Sequence, residues 1–180
     1  SGICDSSIIF LCLSFINHKS IKMKKVLFVL LFVLSLGLNA QWKGTTSNDD
    51  QRTMMVQRHM DLYPKNDQSQ LKNILSNDAT INFNGVDLTN GVNDLAEGER
   101  MHHKIFKNIK FQVGANITSK YENGQTWTHV WAWWSGDGKK TKESSTIPVH
   151  IAFKWDGMKS TEAYFMFDPT ALNKEIAANN

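Results

Sequence analysis

Between residues 109 and 168, runs of β-branched and aromatic residues alternate with short polar segments that contain glycine. Val, Ile, Thr, Trp, Tyr and Phe suit the pleated, half-buried surface of a sheet. Asn-Gly and Asp-Gly pairs between apolar runs are strong hairpin signals. The pattern predicts an antiparallel meander of four long strands. These strands span 109–121, 125–134, 144–155 and 158–168, with turns at 122–124, 135–138 and 156–157.

The residues before this meander follow the 3.6-residue period of amphipathic helices. His59 and Met60 fall on one apolar stripe of a first helix, which Pro64 ends. In a later helix, Leu95, Glu99 and His102 share one face. Helices are predicted at 50–63, 67–75 and 91–106, a short strand at 78–85, and a final helix at 170–177. Because neither repeats nor internal linkers interrupt them, residues 49–180 read as one α+β domain after a short polar segment at 41–48.

Residues 23–40 have the pattern of a secretory signal peptide. Lys24 and Lys25 form a basic start, residues 26–38 an apolar run, and Leu38-Asn39-Ala40 a cleavage site. We therefore expect secretion, to a periplasmic or extracellular destination, and no stable membrane insertion after cleavage. An N-terminal anchor helix is the alternative reading. Residues 1–22 are expected to be upstream sequence joined by a wrongly chosen start; a hydrophobic hairpin with residues 26–38 is the alternative.

The charge of the mature domain limits which partners are expected, and its cysteine content limits how it can be stabilised. From residue 41 onward the chain has 16 basic and 16 acidic residues, so the formal charge of +3 comes from the preceding segment. A neutral domain argues against nucleic acid, which requires a basic surface. Both cysteines, Cys4 and Cys12, lie in residues 1–22. The mature domain must therefore gain its stability from a core rather than from disulfides.

The order of these elements, together with three local strings, resembles the SnoaL-like branch of the nuclear-transport-factor-2-like superfamily. The strings are NDATINFNG at 77–85, LTNGVNDLAEG at 88–98 and WDGMKSTEAYFMFDPTALNKEI at 155–176. The resemblance implies a cone: a strongly curved antiparallel sheet of four long strands and one short strand, wrapped around three N-terminal helices. A short C-terminal helix completes it. A central pocket is implied between the sheet and the first and third helices.

The family includes isomerases, cyclases, dehydratases and members that only bind ligands, so the fold does not select a reaction. In the isomerases a carboxylate base follows the Asp-Ala-Thr string. In this sequence Phe83 stands at the matching position, which disfavours the steroid-isomerase mechanism. Phe83 is instead expected to line the pocket, together with Tyr63, His59 and Tyr164.

The strand at 125–134 carries the main candidates for a binding site. Alternation puts Trp127, His129 and Trp131 on one face, with Val130 and Trp134 on the other. An aromatic wall with one titratable group is typical of ligand pockets, so the first face is predicted to line the pocket. The opposite assignment stays open, in which this face forms a homodimer interface, because Trp is also enriched there.

Acid–base candidates are His129, His102 and Asp168. His102 lies one turn after Glu99, and a carboxylate can orient an imidazole. The resemblance points to Asp168 as a pocket residue, whereas its position before Pro169 equally suits capping of the last helix. No recognised metal-ligand spacing, nucleophile motif or phosphate loop is present, so neither a metal nor a cofactor is expected.

Two functions are consistent with these residues. The first is a secreted domain that binds a small apolar or aromatic molecule in an aromatic-lined pocket. The alternative is a cofactor-independent isomerase, cyclase, dehydratase or hydrolase that uses a pocket His/Asp pair. A homodimer through the exposed sheet face is expected in either case.

Overall fold

The structure, a computed structural model, describes residues 43–180. The expected upstream extension at 1–22, the signal peptide at 23–40 and the first residues of the polar segment lie outside this range and remain predictions. Between residues 43 and 180, no helix has both the length and the apolar content that a membrane crossing requires.

The described residues form seven strands and four α-helices, which confirms the predicted α+β class. The N-terminal half contains β1 (Gly44–Ser47), α1 (Gln51–Leu62), a 3-10 turn (Tyr63–Lys65), α2 (Leu71–Ile74), β2 (Leu75–Phe83), β3 (Val86–Asp87) and α3 (Val92–Ile105). The meander contains β4 (Phe106–Tyr121), β5 (Thr126–Gly138), β6 (Ser144–Asp156) and β7 (Lys159–Phe167), and α4 (Thr170–Asn179) follows.

All seven strands belong to one curved, open sheet in the order β1-β4-β5-β6-β7-β2-β3. Neighbouring strands are antiparallel, apart from the parallel pair β2 and β7. The β4–β5 ladder shifts register between Lys107 and Lys110 and again between Val113 and Ala115. Such bulges bend a strand and increase its twist. Strand β4 can therefore curve around the helices that the sheet encloses.

Two short strands, β1 and β3, were not predicted, and two predicted elements have the wrong extent. The helix expected at 67–75 is a single turn, and β2 begins already at Leu75, which is buried together with Ile74. The turn expected at 135–138 is part of β5, whose Gly136 pairs with Ser145. Glycine is needed at position 136 for packing, because a Cβ there would lie 2.8 Å from the indole of Trp134.

The other two turns follow the predicted chemistry. Gly124 and Gly157 have φ values of +86° and +57°, a region that favours glycine. They place the four meander strands in an antiparallel register, so that one face of the sheet packs on α1 and α3. Val130, Ile151 and Phe153 form the core on this inner face.

Helix α4 is attached to the β5–β6 loop by one buried carboxylate. Glu175, with no exposed surface, accepts hydrogen bonds from the backbone N–H groups of Lys140 (2.6 Å) and Thr141 (3.0 Å). The hydroxyl of Thr141 also donates to Glu175, at 2.7 Å. These bonds fix α4 beside the open end of the inner sheet face.

Candidate functional site

A cavity of about 100 Å³ lies between the inner face of the sheet and helices α1, α3 and α4. Its walls are mostly apolar and include Met60, Leu95 and Leu172. Five residues with polar side-chain atoms also line it: His59, Tyr63, Glu99, His102 and Trp134. Because ligand sites combine apolar walls with a few placed polar groups, this cavity is the candidate functional site.

His59 of α1 and Glu99 of α3 form a buried pair across the cavity wall. Their side chains are 3% and 7% exposed, and His59 Nε2 lies 2.9 Å from Glu99 Oε1. With the ring proton on Nε2, His59 donates to the carboxylate. Glu99 Oε2 and His59 Nδ1 are both buried without a hydrogen-bond partner in the described residues. The pair therefore leaves two polar atoms without a protein partner in residues that both line the cavity.

A second group forms a chain of hydrogen bonds. Trp134 Nε1 donates to the Tyr63 hydroxyl at 3.0 Å, and this oxygen lies 2.9 Å from His102 Nδ1. Because the indole can only donate, the Tyr63 oxygen accepts from it, and the buried hydroxyl proton has an acceptor in His102 Nδ1 when the imidazole proton lies on Nε2. A chain of donors polarises its last member. His102 Nε2–H is therefore the donor that this group offers.

Burial determines the protonation states of His102 and Tyr63 in this hydrogen-bonded group. Burial, together with the charge of His103, lowers the pKa of His102 to about 4. Burial also raises the pKa of Tyr63, against the hydrogen bond from Trp134. Both groups are consequently neutral at pH 7.

Four of the residues predicted from the sequence meet at this cavity. His59 comes from the last turn of α1, Tyr63 from the 3-10 turn after it, Phe83 from the end of β2, and His102 from α3. Phe83 stacks on Phe165 with ring centroids 4.6 Å apart. These four residues are up to 43 positions apart in the chain.

The other aromatic candidates lie on the opposite face of the sheet, which corrects the face assigned above. Strand β5 turns Trp134 inward at 8% exposure, whereas Trp131 is 46% exposed on the outside. Because side chains alternate along a strand, His129 and Trp127 lie on the same outer face as Trp131. Tyr164 of β7 is beside them, with its ring centroid 6.1 Å from that of Trp127. The large rings on the inner face come from other strands and from Trp134, so these four residues do not line the cavity.

On the outer face these residues form a stack. The rings of His129 and His150 are parallel within 3°, with centroids 5.5 Å apart, and Trp131 lies 4.9 Å from His150. Burial lowers the pKa of both histidines, and their proximity adds to the effect on His129. We call this surface the outer aromatic face: Trp127, His129, Trp131, Trp133, His150, Tyr164 and Met166.

Asp168 is exposed and does not reach the cavity, so its assignment as a pocket residue is also corrected. Its Oδ1 accepts from the backbone N–H of Thr170 at 2.9 Å and from the Thr170 hydroxyl at 2.6 Å. These bonds lower the pKa of Asp168. The carboxylate satisfies the free N–H of Thr170, the first residue of α4, which agrees with its other predicted role.

Glu99 and Trp134 were not among the predicted site residues. A carboxylate in the apolar stripe of α3 was the available signal for Glu99, but the i, i+3 spacing favoured His102 as its partner. The partner is His59 instead. Across residues 43–180, no three His, Cys, Asp or Glu side chains are close enough to hold a metal ion.

No protein-family model matches the sequence, and no curated protein matches it. Solved structures with a similar fold are found. A putative SnoaL-like polyketide cyclase from Jannaschia sp. CCS1 has a TM-score of 0.57 at 14% identity, over 71% of this chain and 92% of that chain. A nuclear-transport-factor-2-like protein of unknown function from Burkholderia pseudomallei K96243 also has a TM-score of 0.57, at 12% identity, over 72% and 99%.

A third structure is a hypothetical protein with a ketosteroid isomerase-like fold from Catenulispora acidiphila DSM 44928, in complex with trimethylamine. Its TM-score is 0.50 at 13% identity, over 62% of this chain and 82% of that chain. At such identities the likeness is one of fold, and it agrees with the curved sheet, the helices it encloses and the order of the elements. The chain has the cone-like α+β fold of the nuclear-transport-factor-2-like superfamily, to which the SnoaL-like proteins belong.

Proposed function

We propose that this protein binds a small, compact and largely apolar molecule in the cavity between the sheet and helices α1, α3 and α4. The observation that carries the proposal is a polar pair at an apolar wall: Glu99 Oε2 and His59 Nδ1 are buried without partners. Buried polar atoms in native proteins are nearly always paired. Both atoms are acceptors, so a ligand that brings a hydrogen-bond donor or a positive charge here would compensate them.

The size of the cavity limits the ligand. About 100 Å³ is well below the 300–1,000 Å³ of typical drug-sized sites and of the same order as an engineered apolar cavity of about 150 Å³ that admits benzene. A single small ring or a branched group of comparable bulk fits, whereas a multi-ring compound requires the cavity to widen. The Catenulispora protein with the same fold was crystallised with trimethylamine, which is also compact.

A second function, proton transfer, is favoured by Glu99 and His102. They stand at i and i+3 on α3 and both line the cavity. A carboxylate base and a neutral N–H donor on the same wall suit removal of a proton next to a carbonyl, with the donor stabilising the oxygen. His59 would orient the carboxylate. This replaces the predicted His/Asp pair, because Asp168 lies elsewhere.

Ligand-observed NMR in D2O tests both functions in one sample. We expect saturation transfer to cyclohexanone and weaker transfer to its two-ring analogue decalone. Gly98 lines the cavity, and a Cβ there meets open space, so Gly98→Leu is chosen to fill the cavity. This variant should lose the signal, and Glu97→Leu on the exposed side of α3 should keep it.

The same spectra also show whether the protein catalyses proton transfer. Deuterium entering cyclohexanone faster than in buffer, with loss of this exchange in Glu99→Gln, would support proton transfer. Binding without exchange would leave ligand binding as the function. Equal signals from the protein and from Gly98→Leu would contradict the cavity as the binding site.

We also propose that two copies associate through the outer aromatic face. Trp131, Trp133 and Met166 are about half exposed there, and exposed apolar patches of this kind mark interfaces. Sedimentation at micromolar concentration is expected to give a dimer for the protein and a monomer for the double variant Trp131→Glu, Trp133→Glu. Met54→Glu, which alters an equally exposed residue on α1, should remain dimeric. A monomeric wild type would refute the proposal.

A further inference from the structure

Glu99 has an unusual charge environment for a buried carboxylate. It is 6% exposed, and its polar partner in the described residues is the imidazole of His59. The Lys and Arg ion pairs of the described region involve other carboxylates: Asp50, Glu143 and Glu162. Buried Glu is rare unless it is paired with a cation. Glu99 lines the cavity, its Oε2 has no hydrogen-bond partner in the described residues, and neither Lys nor Arg of that region pairs with it.

The rest of the wall favours a positive guest over a negative one. Neither Lys nor Arg lines the cavity, and His102 adds no positive charge because its pKa is about 4. Aromatic rings, whose faces carry negative electrostatic potential, supply much of the remaining surface. Besides Tyr63 these are Phe83, Phe106, Phe111, Trp134, Phe165 and Phe167.

We propose that the ligand is a small organic cation, either a protonated tertiary amine or a quaternary ammonium with methyl-sized substituents, and that Glu99 is its counter-ion. The inference rests on the proposed function, because it names the ligand class of the same cavity. The carboxylate neutralises the positive charge, and the rings contact the substituents. His59 is a positioning residue, since its N–H holds Oε1 and leaves Oε2 toward the ligand.

A pair of ligands that differ only in charge tests the proposal. Choline and 3,3-dimethylbutan-1-ol have the same shape, with nitrogen replaced by carbon. Titration calorimetry of the full chain is expected to give choline an affinity at least about tenfold higher than that of the alcohol. Glu99→Gln should reduce choline affinity by about tenfold or more and leave the alcohol unchanged. Glu97→Gln removes an exposed charge from the same helix and should change neither.

The outcomes separate this inference from the proposed function. Equal binding of both ligands would overturn the cationic ligand while supporting a neutral apolar site. Choline binding that survives both Glu99→Gln and the cavity-filling Gly98→Leu would overturn it by placing the cation elsewhere. If choline, the alcohol and cyclohexanone all fail to bind, both proposals fall. Thermal unfolding of each variant shows that it is folded, and loss of choline binding in Gly98→Leu supports the site without altering Glu99.

Discussion

Replacing Glu175 by Ala is expected to lower the midpoint of thermal unfolding by roughly 10 °C. The carboxylate is fully buried and accepts bonds from the backbone N–H groups of Lys140 and Thr141 and from the Thr141 hydroxyl. Alanine leaves these donors without a partner and opens space beside Gly138, where even an added Cβ would collide with Glu175 Oε2. Unsatisfied buried donors cost more than the net gain of an average hydrogen bond.

Differential scanning calorimetry measures this effect, and Glu143 provides a matched control. Glu143 pairs with Lys174 at 2.6 Å between the same loop and helix, but both side chains are more than half exposed. Glu143→Gln should therefore shift the midpoint by no more than about 2 °C. Glu175→Gln, which keeps the shape and one acceptor, should fall between the two. A Glu175→Ala midpoint equal to that of Glu143→Gln would show that α4 is not held by this carboxylate.

The arrangement of elements could be predicted because local chemistry and overall fold agree over most of the domain. The Asn-Gly and Asp-Gly turns at Gly124 and Gly157 adopt the backbone that these pairs favour. In the segment around Gly136, local composition and the folded structure disagree. Its two glycines have the composition of a turn, but Gly136 lets the strand pass the Trp134 indole and Gly138 leaves space for Glu175, and both contacts are formed only in the folded domain.

The candidate site was predictable only in part, because alternation states which residues share a face but not which face is inside. The large rings at positions 127 and 131 favoured the wrong side of β5. The inner face instead contains small residues such as Thr128 and Ala132, which leave room for α1, and Trp134 at its end. Glu99 was missed for a related reason, since its partner His59 is 40 residues away.

Acidification is expected to destabilise the protein well above the pH at which its carboxylates titrate. Burial lowers the pKa of His102 to about 4, from 6.5 in an unfolded chain. Between these two values the unfolded chain binds a proton that the folded chain does not. The free energy of unfolding is therefore unaffected by His102 above about pH 6.5. As the pH falls below this value, the titration of His102 lowers the free energy of unfolding, by about 2–3 kcal/mol at pH 4.5. The lowered pKa values of His129 and His150 act in the same direction.

Urea unfolding at pH 7.5, 6.0 and 4.5 measures this loss, and His102→Asn isolates the contribution of one residue. The Asn Oδ1 can accept the Tyr63 hydroxyl in place of Nδ1, but it does not titrate. Between pH 7.5 and 4.5, the free energy of unfolding of the variant should fall by about 2–3 kcal/mol less than that of the protein. The decrease caused by the histidines of the outer aromatic face should remain. The hydrogen bonds that outweigh burial lower the pKa of Glu175 to about 2, from 4.5, so its contribution declines only at lower pH. Parallel pH curves for the protein and the variant would mean that His102 accepts a proton in the folded state, and the donor assigned to it in the cavity would then be a cation.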